Sequence, residues 1–153
     1  MLDARIGIMA PPSVSEWGDV EWDLDLKDAF RRLAGKTVEE AMPLFGDGDP
    51  VSELQLAPDP IFNYYIFSYA AYVLKQERAG NPDAASSFLS LVSDRASRDA
   101  GGLHEVWSRL QPCVRQVAGQ QEFYDADPEI YGSFLERYAQ IEAAMQHPSR
   151  GGV

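Results

Sequence analysis

The chain has 153 residues, with 45% hydrophobic and 11% aromatic content, which excludes a disordered chain and predicts one ordinary soluble domain over 1–153. Its formal charge of −11 argues against nucleic acid and anionic membrane surfaces as partners, because both are held through Lys and Arg. A lone cysteine, Cys113, allows no internal disulfide and accords with a reducing, cytoplasmic setting.

Residues 1–23 hold Pro11, Pro12, Gly18 and scattered acids without a sustained period, which predicts an irregular arm with one short strand at Arg5 to Met9. Trp17 and Trp22 should dock that arm on the body, since two indoles left in water would forfeit much apolar burial. From Leu24 onward, Leu26, Ala29, Phe30 and Leu33 recur at helical spacing and stop at Gly35, a preferred left-handed C-cap. Thr37-Val38-Glu39-Glu40 is a capping box that opens a second short helix with Val38, Ala41, Met42 and Phe45 inward. Gly46-Asp47-Gly48-Asp49-Pro50 is turn chemistry.

Asp59-Pro60, Asn81-Pro82 and Asp127-Pro128 repeat one helix-start device, an Asx cap followed by proline at the first helical position. The helix over about 60–79 is apolar nearly all round, which predicts a central element containing Ile66 and Phe67. The helix over about 82–99 buries Ala85, Phe88, Leu89, Val92 and Ala96, turns Asp94, Arg95 and Arg98 outward, and ends at Gly101-Gly102. A third, over about 103–118, sets Leu103, Val106, Trp107, Leu110, Val114 and Val117 inward and is kinked by Pro112. A fourth, over about 128–146, directs Ile130, Tyr131, Phe134, Leu135, Tyr138, Ile141 and Met145 inward, before a frayed tail at 148–153. Short links between these helices predict an all-α fold: an antiparallel bundle of about four longer helices plus two short N-terminal ones.

The candidate chemistry is sparse. Asp19, Glu21, Asp23 and Asp25 alternate like the first ligands of a calcium loop, but no glycine turn or twelfth-position glutamate follows. Asp47, Asp49 and Glu53 form a second oxygen-rich group that a turn explains as well. His104 and Cys113 are a potential base and thiol, with a small buried core cysteine as the plainer reading. No phosphate loop, dinucleotide fingerprint, nucleophile elbow or paired Cys-x-x-Cys occurs, so no catalytic residue, metal or cofactor is assigned.

Charge is uneven: residues 1–60 carry 13 acids and 5 bases, residues 61–153 carry 11 and 8. A negative field steers basic partners, and Asp19, Glu21, Trp22, Asp23, Asp25 and Asp28 are the expected partner-binding residues. Tyr65, Tyr69 and Tyr72 form an aromatic stripe that suits either an interface or a core edge. In size, acidity and want of catalytic motifs the chain is similar to small acidic bacterial immunity proteins, which implies capture of a basic protein. The expectation is a non-enzymatic binding module acting as an inhibitor, immunity protein or chaperone. The alternative is a helical enzyme or small-ligand protein with a pocket between helices near Trp107 and the tyrosine stripe.

Overall fold

The computed structural model describes residues 10–46 and 50–146. Over these the protein is all α, as the periodicities predict, with no strand among the described residues. The expected strand at Arg5–Met9, the acids of the 47–49 turn and the 148–153 tail lie outside the described residues. Two compact units divide the chain, residues 1–72 and 73–153.

In the first unit, 3-10 turns at Val14–Trp17 and Val20–Trp22 lead into helix α1, Leu24–Leu33. The Asp23 carboxylate caps it by accepting from the amides of Asp25 and Leu26 at 3.0 and 3.2 Å. Gly35, at φ 80°, ends it in the left-handed conformation that glycine adopts without steric cost. The short α2, Val38–Ala41, carries the expected capping box: Thr37 Oγ1 accepts from Glu40 N at 3.2 Å, and Glu40 Oε1 accepts from Thr37 N at 2.9 Å.

Helix α3, Pro50–Gln55, is an element that turn chemistry at 46–50 did not suggest. The apolar α4, Asp59–Val73, begins one residue earlier than expected: the amides of Ile61 and Phe62 both donate to the carbonyl of Pro58, so Asp59 is its first residue rather than its cap. It also ends six residues early, because Lys75 is extended and Gln76–Arg78 form a separate 3-10 turn.

Ile61, Phe62, Tyr65, Ile66 and Phe67 of α4 are all buried, as an all-round apolar helix requires. Trp17 is 1% exposed and meets the Phe30 ring edge-on at 5.3 Å, so this indole docks as predicted. Phe45 stacks on Tyr69 at 5.2 Å. Arg32 joins α1 to α3 and to the 3-10 turn Met42–Gly46, through an ion pair to Glu53 and a hydrogen bond to the Leu44 carbonyl.

In the second unit, α5 (Pro82–Arg98), α6 (Ala100–Ala118) and α8 (Phe134–Gln146) pack against one another. Three of the four longer helices expected in one bundle therefore fall in this unit, and α4 falls in the first. Gly101 and Gly102 do not end α5. They lie in the first turn of α6, because Asp99 closes one helix and caps the next by accepting from Gly102 N at 3.1 Å. Arg95, expected outward, is 4% exposed.

The last expected helix is interrupted. Short α7, Pro128–Tyr131, stops at Gly132, whose φ of 74° and ψ of 178° lie outside any helix. That break rotates the register, leaving Ile130 73% and Leu135 60% exposed where both were expected inward. Phe134, Ile141 and Met145 keep their predicted core positions. Helix α6 runs through Pro112 without ending.

Candidate interaction surface

The acids of residues 19–28 divide into two kinds. Asp19 and Asp23 are caps: Asp19 Oδ1 accepts from Glu21 N at 3.1 Å, and Asp23 holds the start of α1. Glu21, Asp25 and Asp28 instead point their charge to solvent. Glu21 meets Lys27 Nζ at 3.2 Å and Asp28 meets Arg31 at 3.6 Å, exposed pairs that contribute little. Among the described residues no cation pairs with Asp25.

Helical geometry places Leu24, Asp28 and Arg31 on one outward strip of α1, at i, i+4 and i+7. Leu24 is 79% exposed, and Asp25 adjoins it in sequence. The opposite face of α1 buries Ala29 and Leu33. Leu24 is thus the apolar side chain of the acidic face, a role the sequence reading did not give it. Its signal was present, because Leu24 lies off the Leu26, Ala29, Phe30, Leu33 stripe. Val14, 71% exposed, is a second large apolar side chain in the same unit. Trp22 lies in the 3-10 turn Val20–Trp22, with its side chain outside the described residues.

The tyrosine stripe resolves toward the core. Tyr65 and Tyr69 are 0% and 2% exposed. The Tyr65 hydroxyl sits 2.6 Å from the carbonyl oxygen of Leu33 and 2.8 Å from that of Lys36. Burial, and then the neighbouring Tyr64, push its ionisation well above the usual tyrosine range. Neither ring is presented to a partner in this conformation. Tyr72 is half-buried over Gly46, where a Cβ would come within 3.1 Å of the Tyr72 hydroxyl.

The other candidates do not assemble into a site. His104 is exposed and Cys113 buried. Nine helical positions separate them by about 13 Å along α6 and by roughly half a turn around it. Burial pushes the Cys113 thiol up, away from the thiolate that nucleophilic catalysis uses. Glu53 is committed to Arg32. Among the described residues no group of three or more His, Cys, Asp or Glu side chains could hold a metal ion, and no helix is long and apolar enough to cross a membrane.

Comparison with protein-family models, curated proteins and solved structures finds no match.

Proposed function

We propose that this chain is a non-enzymatic binding module that captures a basic protein, as an inhibitor, immunity protein or chaperone does, through the outward face of α1. The observation that carries the reading is the exposure of Leu24 beside Asp25 and Asp28, in a unit with 13 acids and 5 bases. Steering charge accelerates encounter, and a desolvated apolar contact slows escape. The capping acids Asp19 and Asp23 add negative potential while fixing the backbone.

The test begins with a partner isolated from the native host on immobilised protein and released by salt. Asp25→Lys combined with Asp28→Lys should slow its association roughly tenfold and flatten the salt dependence. Leu24→Ala should mainly speed dissociation. All three positions are exposed, so the variants should melt within a few degrees of the parent. Unchanged rates in both variants would show that this face does not bind.

A further inference from the structure

The segment from Ala118 to Glu136, in the other unit, joins two surface hollows to exposed apolar and acidic side chains. Two hollows of about 550 and 540 Å³ adjoin there and share Gln121 and Glu122 as walls. Asp125 and Asp127 line the first hollow, and Phe123 and Leu135 the second. Residues 119–136 contain five acids and no base. Leu135 presents 60% of its surface to solvent.

The walls are held before any ligand arrives. The Gln121 side-chain amide donates to the carbonyls of Ala126 and Gly132 at 2.9 and 2.8 Å and accepts from Phe134 N at 3.0 Å. Gly80 N donates to the Phe123 carbonyl at 2.9 Å. A groove fixed in this way avoids the ordering cost that a mobile loop would incur on binding. Its chemistry also narrows the occupant. Carboxylates without a cation repel nucleic acid, and these acids do not converge as a metal site requires. The exposed Leu135 wall supplies apolar contact in the hollow it shares with Glu122, and Asp125 and Asp127 of the adjoining hollow select positive charge.

We infer that this groove binds a lysine- or arginine-rich segment of a partner protein, with an apolar side chain of that segment against Leu135. The inference stands on the second unit alone and survives if the α1 face proves inert.

The test uses a fluorescein-labelled lysine-rich peptide with one central leucine, titrated by anisotropy against the full chain at low salt. Leu135→Ser should weaken binding about tenfold, and so should Glu122→Gln combined with Asp125→Asn. Asparagine is chosen because Asp125 has φ 56°, a conformation that asparagine also tolerates. Replacing the peptide's leucine by serine should reproduce the Leu135→Ser loss, whereas Glu105→Gln, at an exposed acid of α6 that lines neither hollow, should leave affinity within about twofold. Equal binding by the groove variants, or no saturable binding to the parent, would overturn the assignment. So would sedimentation showing a dimer that Leu135→Ser dissociates, since a second copy would then be the occupant.

Discussion

Tyr124 is fully buried with its hydroxyl donating to the Val73 carbonyl at 2.9 Å, and burial pushes its ionisation from 10.0 up to about 12. Tyr65 is raised for the same leading reason. In both cases the folded state holds a proton that the unfolded chain releases near pH 10. Their stabilising contribution is therefore complete below pH 10 and is lost as pH rises from about 10 toward 12, by roughly 1.4 kcal/mol per pH unit for each tyrosine. Denaturant melts across that range, with tyrosinate absorbance recorded in parallel, should show stability falling while the buried tyrosines remain protonated. Stability that stays flat to pH 12 would mean that neither hydroxyl is shielded. Gln121 matters through geometry rather than charge, because its one side chain satisfies two carbonyls and an amide around the Gly132 break. Gln121→Leu keeps the bulk and removes all three bonds, and should cost about 1–3 kcal/mol in urea unfolding.

Capping acts at the scale of the helix. Asp127 Oδ1 accepts from Glu129 N at 2.9 Å, and Asp127→Ala should cost ~0.5–2 kcal/mol by denaturant unfolding. The loss should stay small, since α7 has four residues and buries none of them. Caps of this kind were legible in the sequence because they are local: Asn81 and Asp127 cap as their Asx-Pro pairs predict. The interruption at Gly132 was not. Ile130, Tyr131, Phe134 and Leu135 satisfy a helical period straight through the glycine, and the bonds that stabilise the break come from Gln121, more than ten residues away. Arg95 was misread for a related reason, because charge implies exposure unless tertiary packing encloses the stem. A core substitution tests the apolar helix α4. Ile66→Asp or Phe67→Asp places an unpaired charge where exposure is 0% or 2%, and should abolish the cooperative melt, since several kcal/mol are lost from a typical total of ~5–15.

Over the whole molecule, charge distribution was readable from the sequence, whereas the surface it creates was not. Counting acids locates the negative field in residues 1–72, but only the fold separates the capping carboxylates of Asp19 and Asp23 from the outward ones of Asp25 and Asp28, and brings Leu24 to the surface beside them. The same field has a cost for the protein alone. With 13 acids against 5 bases in that unit and surface pairs as loose as 3.6 Å for Asp28 and Arg31, repulsion should outweigh the screened attractions. Raising sodium chloride from about 10 mM to about 300 mM shortens the screening length from roughly 30 Å to roughly 6 Å, so the melting temperature should rise by a few degrees. Asp25→Lys with Asp28→Lys reduces the repulsion directly and should shrink that rise. A melting temperature that falls with salt in the parent would instead mean that net attraction among surface ion pairs, rather than self-repulsion, governs its electrostatics.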